Sequence, residues 1–280
     1  MTERPTLLFV STRFLFPVDS GGKIRTTQIL KGLKGGRFRI VLVSPATEKS
    51  VNQYRSDIDA ICDEFEWWPE PRRTRAFSVT RMRFLASGLP IPVRTDRHRG
   101  ARSLIGKQLS QKPDVAVFDF AHAGVLSPDR GLECPSVMFT HNVEAEIFHR
   151  HRDVASNPVF KVIWANQYRK MLKFERDTLR SFDVVVAVAE RDAEFFRTKY
   201  GVANVAVIPT GVDLDFFSYD EPSRSKDVVF LGSMDWLANQ EAVGFFMDKV
   251  WQGVVDRVPD ARMTVVGRAP PEYLIKESRR

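Results

Sequence analysis

Short apolar runs alternate along the chain with longer amphipathic stretches. Most of the runs are continuous rather than alternating, which is typical of parallel strands that are buried on both faces of a sheet. The predicted strands are Leu7 to Ser11, Arg39 to Ser44, Asp114 to Asp119, Ser136 to Thr140, Asp183 to Val188, Val205 to Pro209, Asp227 to Gly232 and Met263 to Gly267.

Amphipathic helical stretches separate these runs. The clearest predicted helices are Gly22 to Leu33, Val159 to Ser181, Glu190 to Tyr200 and Asn239 to Val255. Strands that alternate with helices predict an α/β fold, in which crossover helices cover a parallel sheet.

The 280 residues are enough for about two domains. The polar stretch from Ser218 to Lys226, which contains Pro222 and has no periodicity, is the best candidate linker. We therefore predict a Rossmann-like domain over residues 1–217, a linker over 218–226 and a second domain over 227–280. With only two predicted strands, the second domain has a thin core and is expected to be incomplete.

The charge of the chain narrows the class of expected binding partners, and its cysteine content narrows the expected metal sites and compartment. The chain has 42 Lys and Arg against 35 Asp and Glu, a net charge of +7, which favours phosphate-bearing or anionic partners. Cys62 and Cys134 lie far apart and outside any metal-ligand spacing, so we expect no metal site and a reducing compartment. The N-terminus lacks a signal-peptide apolar region and no run reaches the ~18 residues of a membrane span. We expect a cytoplasmic protein.

Two glycines follow the first predicted strand and open a helix. Gly21 and Gly22, with Lys23 and Arg25 in the next turn, lie where helix N–H groups and positive charge suit a phosphate. The spacing does not match the dinucleotide-binding fingerprint. An ordinary glycine-containing turn with a helix cap is the alternative.

Another candidate motif is Thr140-His141-Asn142-Val143-Glu144, directly after a predicted strand. Ligands of open α/β sheets gather at the carboxyl ends of the strands, so His141 and Glu144 are expected to border a ligand cleft. A structural histidine is the alternative.

Two further motifs follow later strands. Thr210-Gly211-Val212-Asp213 ends one strand, with a plain interdomain turn as the alternative reading, and Gly232-Ser233 leads from the next strand towards a helix near Asn239. The N-terminus of that helix is a second candidate phosphate site.

The order of these motifs resembles the GT-B retaining glycosyltransferases of the family-4 type, and more closely the bacterial sugar transferases of exopolysaccharide and exosortase systems. The resemblance covers nearly the whole chain. It implies two Rossmann-like domains that face a cleft, and transfer of a sugar with retention from a nucleotide-sugar donor to a polysaccharide or lipid-linked acceptor. Such enzymes need no metal or other cofactor, because fixed dipoles and cations stabilise the departing diphosphate and the nucleotide sugar is a substrate.

The resemblance also implies roles for single residues. His141 and Glu144 would be catalytic, with His141 near the transferred sugar. The implied donor- or acceptor-binding residues are Gly21, Gly22, Lys23, Arg25, Asn142, Gly211, Asp213, Gly232, Ser233, Asn239, Gly267 and Arg268. Among these, Gly211 and Asp213 would form a hinge beside the nucleotide, Gly232 and Ser233 would contact the diphosphate, and Gly267 with Arg268 would lie near the base.

The sequence also departs from the family pattern. The family's glutamate pair, eight residues apart, has no counterpart after Gly267, where Glu272 and Glu277 are five apart. Ser233 to Asn239 stands where an arginine and a lysine usually clamp the diphosphate, and Thr210 and Ala189 replace the customary asparagine and serine. We therefore expect a C-terminally truncated chain with little or no transfer activity and a tendency to self-associate.

The region from Arg72 to Lys107 is rich in arginine, with Asp96 as its one acid, and aromatic residues lie between the cations. This composition suits an anionic membrane surface, while a solvated surface is the alternative. Peripheral attachment to the cytoplasmic face of the inner membrane is therefore compatible with the sequence.

Three functions compete with sugar transfer. The chain could be a non-catalytic remnant that binds an acceptor or a partner, or a GT-B-like sugar-nucleotide epimerase. A nucleic-acid binder is disfavoured, because the positive charge is not accompanied by a recognised binding module.

Overall fold

The computed structural model describes residues 4–70, 77, 80–129, 131–214, 216–217 and 225–277. The chain divides into two compact units, Met1–Val212 and Asp213–Arg280. Of the predicted linker, residues 218–224 lie outside the described residues, as do Arg72, Arg73 and Arg75 of the basic region. The predicted domain boundaries at 217 and 227 stay predictions.

The first unit is built on a seven-stranded, all-parallel sheet with the order β3-β2-β1-β4-β5-β6-β7. The strands are β1 Thr6–Ser11, β2 Arg39–Ala46, β3 Glu64–Pro69, β4 Val115–Asp119, β5 Ser136–Phe139, β6 Val184–Ala187 and β7 Val205–Val207. Alternate residues of the inner strands enter separate apolar clusters, with Leu8 and Val10 in one and Leu7 and Phe9 in the other. Burial on both faces explains why the strands are continuous apolar runs.

Helices surround this sheet. They are α1 Gly21–Leu33, α2 Glu48–Gln53, α3 Arg55–Asp59, α4 Ile91–Asp96, α5 Arg99–Ser110, α6 Glu144–Val154, α7 Pro158–Leu179 and α8 Glu190–Tyr200, with 3-10 segments Arg81–Ala86 and Ala121–Leu126. None of the helices within the described ranges combines the length and the apolar character of a membrane span.

The second unit contains a parallel pair of strands, β8 Asp227–Leu231 and β9 Arg262–Val266. Its helices are α9 Leu237–Phe246, α10 Gln252–Val255 and α11 Glu272–Glu277, with a π-helical segment Met247–Trp251 between α9 and α10. That segment interrupts the single helix predicted from Asn239 to Val255. The α/β fold class is confirmed, and the parallel sheet that was predicted is present.

Strand β3, helices α2 to α6 and both 3-10 segments of the first unit were not predicted, and β3 and α6 show the reason. Strand β3 mixes Glu64 and Glu66 with aromatic residues at the edge of the sheet, and of its six residues only Trp68 is buried. Helix α6 is rich in charged residues and buries only Ala145 and Phe148. In both elements the weak hydrophobic pattern reflects limited burial.

One face of the β8-β9 pair is apolar and exposed. Val229 is 62% exposed and Leu231 79%, whereas Val243 of α9 and Met234 are buried. We predict that the purified chain self-associates at micromolar concentration, because exposed contiguous apolar surface promotes association.

Light scattering that compares the parent chain with the double variant Val229→Thr, Leu231→Thr measures this self-association. The variant should shift towards monomer, while Val18→Thr, which replaces a valine that is 40% exposed in the first unit, should not. A monomeric, cooperatively unfolding parent chain would contradict the prediction.

Candidate functional site

The strand order of the first sheet reverses at β1, which lies between β2 and β4. Ligands of open α/β sheets bind outside the carboxyl ends of the strands at such a switch point. Ser11 and Asp119, the last residues of β1 and β4, are register partners there. Their side chains therefore mark where a ligand of this unit would bind.

Asp119 is the centre of a buried polar network at this point. Its Oδ1 lies 2.7 Å from Nε2 of His141, and its Oδ2 accepts a hydrogen bond from Oγ1 of Thr26 at 3.0 Å and a longer one from Oγ of Ser11 at 3.5 Å. With Nε2 of His141 as the donor in this contact, Nδ1 is left for another partner. The network joins β1, α1, β4 and the loop after β5.

The turn that contains Gly21 and Gly22 packs next to this network through Phe120. A Cβ atom on Gly22 would lie 2.7 Å from Cζ of Phe120. The Phe120 ring stacks on His141, with 3.9 Å between ring centroids and 9° between the planes. Gly22 and His141, which were predicted from separate motifs, therefore both pack against one aromatic ring.

Phe120 has an unusual backbone conformation, with φ 68° and ψ 144°. A positive φ is disfavoured for a residue with a side chain, and such strain clusters at functional sites. Sequence reasoning assigned no role to Phe120 or Asp119, although Asp119 ends a predicted strand and Phe120 directly follows it.

Lys23 and Arg25 have protein partners in the structure. Nζ of Lys23 lies 3.1 Å from both the Pro17 carbonyl oxygen and Oδ1 of Asp19. Arg25 is buried, donates to the carbonyl oxygen of Ile208, and places its guanidinium 4.4 Å from the Phe139 ring centroid. Burial lowers the pKa of Arg25, although the charge of Asp119 opposes that effect. Phosphate contact by these two residues stays a prediction.

A second polar group contains Glu144 and the unpredicted His122. Nδ1 of His122 lies 3.4 Å from Oδ2 of Asp96, and Nε2 lies 3.7 Å from Oε2 of Glu144. Nε2 is buried and has no hydrogen-bond partner within the described part of the chain. Burial by itself lowers the pKa of His122, but the hydrogen bond to Asp96 and the charge of Glu144 outweigh it and raise the pKa above its usual value.

His122 borders a cavity of about 550 Å³ at the carboxyl ends of the first strands. Charged and aromatic side chains line it, including Arg13, Lys23, Trp68, Asp96 and His98. We name it the polar cavity. Its size and mixed lining suit a small polar molecule.

The start of helix α6, beside Asn142 and Glu144, is capped by the buried Glu175. Oε1 of Glu175 accepts from the backbone N–H of Glu144 at 2.7 Å, and Oε2 accepts from the Ala145 N–H at 3.0 Å and from the Tyr200 hydroxyl at 2.7 Å. Burial raises the pKa of Glu175 to about 7. Two N–H groups of this helix terminus are therefore used by the protein itself, while Asn142 is exposed.

The predicted residues of the second unit gather at the carboxyl ends of β8 and β9. A Cβ atom on Gly267 would lie 1.9 Å from the Gly232 carbonyl oxygen, so only glycine fits there. Nε of Arg268 donates to Oγ of Ser233 at 2.7 Å, and Nδ2 of Asn239 donates to the Ser233 carbonyl oxygen at 2.9 Å.

Asp235 is an unpredicted member of this group. Its Oδ1 accepts from Oγ of Ser233 at 2.6 Å, and its Oδ2 lies 3.1 Å from Nη2 of Arg268. The Ser233 hydrogen bond and the charge of Arg268 hold the pKa of Asp235 below its usual value.

The predicted hinge residues have simpler surroundings. Gly211 is exposed at the end of the first unit. Oδ1 of Asp213, in the second unit, accepts from the Phe216 N–H at 3.2 Å. Their role beside a nucleotide stays a prediction.

The fold resembles that of several solved structures. Sucrose-phosphate synthase from Thermosynechococcus elongatus matches with a TM-score of 0.56 and 12% identity over 97% of this chain and 72% of that chain. UGT2 of Phytolacca americana, solved with UDP-2-fluoro-glucose and pterostilbene, matches with a TM-score of 0.50 and 16% identity over 95% of this chain and 72% of that chain. UGT71G1 of Medicago truncatula, solved with UDP-glucose, matches with a TM-score of 0.50 and 10% identity over 95% of this chain and 72% of that chain.

Sequence comparison agrees with the fold. An uncharacterized 44.6 kDa protein in the cps region of Klebsiella pneumoniae is 19% identical over 267 residues, which are 94% of this chain and 65% of that protein. This chain thus spans less than two thirds of that relative's length. The model of Glycosyltransferase Family 4 matches residues 20–216, which include Gly21, Gly22, Asp119, His122 and His141. The chain belongs to glycosyltransferase family 4.

Proposed function

We propose that this protein transfers a sugar, with retention of configuration, from a nucleotide-sugar donor to a polysaccharide or lipid-linked acceptor. The observation that carries the proposal is the convergence of Gly22, Phe120, His141 and Asp119 at the switch point of the first sheet. Family membership and the two solved relatives that hold UDP sugars support the donor class.

Each unit would contribute different chemistry. In the first unit, Asp119 orients His141 so that Nδ1 can accept a hydrogen bond from a sugar hydroxyl. His122 lines the polar cavity and would lie beside the acceptor there.

In the second unit, Ser233 and Arg268 would contact the diphosphate and the base end of the donor. Fixed dipoles and a cation stabilise the charge that develops on a departing diphosphate.

Saturation-transfer NMR with UDP-glucose and GDP-mannose, followed by product analysis, tests this function. We expect donor signals that a tenfold excess of UDP or GDP suppresses, and free nucleotide with a glycosylated acceptor as products of any turnover. An isomerised donor would instead support the epimerase. Salt-dependent DNA retention without any sugar-nucleotide signal would contradict both.

Arg268 allows a sharper test of the donor site. We predict that Arg268→Gln weakens donor binding by roughly ten- to a hundredfold, because a charge-assisted hydrogen bond contributes about 1.5–3 kcal/mol. Lys226→Gln is the matched control, since Lys226 also lies in the second unit and pairs with Asp260 at 2.8 Å. Titration of UDP-glucose against both variants measures the effect, and equal losses would contradict the assignment.

A further inference from the structure

A second cavity of about 360 Å³ lies next to the polar cavity. Arg81 and Pro92 line both cavities, so these two residues border both spaces. The second lining is largely apolar and comes from the 3-10 segment Arg81–Ala86 and helices α4, α6 and α7, through Met82, Ile91, Ile147, Phe148, Phe160 and Ile163. We name it the apolar cavity.

The apolar cavity opens to solvent at a rim of large side chains. Phe160 is 55% exposed, and Met82 is 44% exposed, whereas Phe148 in the lining is buried. Apolar lining that reaches the surface is costly to keep in water, so it is typical of a site that an apolar group fills.

Arg81 borders both cavities. Its Nε donates to Oγ1 of Thr95 at 3.1 Å, and its guanidinium lies 5.6 Å from the Phe77 ring centroid. Within the described ranges no carboxylate lies at ion-pair distance from Arg81, Arg83 or Arg94, and the latter two both flank the Phe84 ring at 5.1 Å. The Arg81 guanidinium therefore has donor groups available for an anion, while the carboxylates Glu70 and Asp96 also line the polar cavity.

We propose that the acceptor is a lipid-phosphate-linked saccharide, with its saccharide in the polar cavity, its phosphate at Arg81 and the first part of its hydrocarbon chain in the apolar cavity. The order of polar space, cation and apolar space matches the order of sugar, phosphate and hydrocarbon in such a molecule. A free saccharide would leave the apolar lining uncovered. Only the assignment of the saccharide to the polar cavity rests on the proposed transferase function.

Monoalkyl phosphates from butyl to decyl, kept below their micellar concentrations, test the site by calorimetric titration of the 280-residue chain. The dissociation constant should fall roughly fourfold for each added methylene until the cavity is filled, and then level off. Alkyl alcohols of equal length should bind roughly tenfold more weakly, because they lack the charge that pairs with Arg81. Affinity that does not depend on chain length would overturn the proposal.

Matched variants locate the binding. Ile163→Asp introduces a charge into the apolar lining and should abolish the dependence on chain length. Val162→Asp is its control, because Val162 is the neighbouring residue of α7, is 70% exposed and does not line the cavity. Phe160→Ser, at the exposed rim, should weaken decyl phosphate binding roughly tenfold and gives a second measurement if Ile163→Asp folds poorly.

Arg81→Gln should remove the preference for phosphate over alcohol and preserve the dependence on chain length. Equal effects of Ile163→Asp and Val162→Asp in folded protein would overturn the proposal.

Two further measurements separate the remaining explanations. Binding to vesicles of phosphatidylglycerol without binding of alkyl phosphates would overturn the proposal in favour of a membrane surface. UDP-glucose saturation transfer is measured on the same samples. If alkyl phosphates do not bind while UDP-glucose binds, the lipid-linked acceptor is wrong and the transferase function stands. If UDP-glucose does not bind either, the proposed transferase function is wrong as well.

Discussion

Replacing Asp119 by alanine should lower the free energy of unfolding of the first unit by about 3 kcal/mol or more, because each buried donor that loses its acceptor costs about 1–3 kcal/mol. Asp119, Thr26 and Ser11 are all buried, and Nε2 of His141 also depends on the Asp119 carboxylate. Water would have to enter the site to satisfy these groups. The Asp119→Ala substitution should also weaken the packing of His141 against Phe120.

Urea unfolding followed by circular dichroism measures this loss. Asp119→Asn keeps the volume and one acceptor oxygen, and its amide can donate to the Thr26 hydroxyl, so it should cost only about 1 kcal/mol. Asp129→Ala is the surface control, because Asp129 is exposed and pairs with Arg102 at 2.9 Å, and its stability should be nearly unchanged. An Asp119→Ala chain as stable as Asp129→Ala would show that the network contributes little.

Glu175 should make the stability of the first unit depend on pH. Burial raises the pKa of this carboxyl to about 7 in the folded chain, against the ordinary value of 4.5. Its stabilising contribution is therefore fully present below about pH 4.5 and is lost as pH rises towards 7, because the unfolded chain ionises first. The total change is about 3 kcal/mol.

The Glu175→Gln variant isolates this effect from the other titrating groups. Between pH 5 and pH 8, the parent chain should lose about 2–3 kcal/mol of unfolding free energy relative to the variant. The Tyr200→Phe variant removes the hydroxyl that donates to Oε2 of Glu175, so it should raise the pKa further and extend the pH dependence upwards. Stability curves of the parent and of Glu175→Gln that run parallel across this range would contradict the prediction.

The candidate site could be predicted in part because its glycines and His141 lie in the segments that follow buried strands. In a parallel sheet every strand ends at the same edge, so residues after different strands meet without any knowledge of strand order. Gly22 with His141, and Gly232 with Gly267, are examples of such pairs.

The partners of these residues could not be predicted in the same way. Asp119 resembles any polar residue at a strand end, and its contacts with Thr26 and Ser11 depend on β1 and β4 being neighbours. Helix α6 is charged and was missed, because it begins where Glu175, far along the chain, caps its N–H groups.

The sequence by itself determined the α/β class, the parallel strands and the glycosyltransferase motifs, because hydrophobic periodicity and glycine positions are local properties of the chain. Only the tertiary structure decided that Asp119 orients His141, that His122 lies between Asp96 and Glu144, and that Arg81 borders both a polar and an apolar cavity. Those contacts join residues that are distant in sequence, and strand order and helix packing alone bring them together.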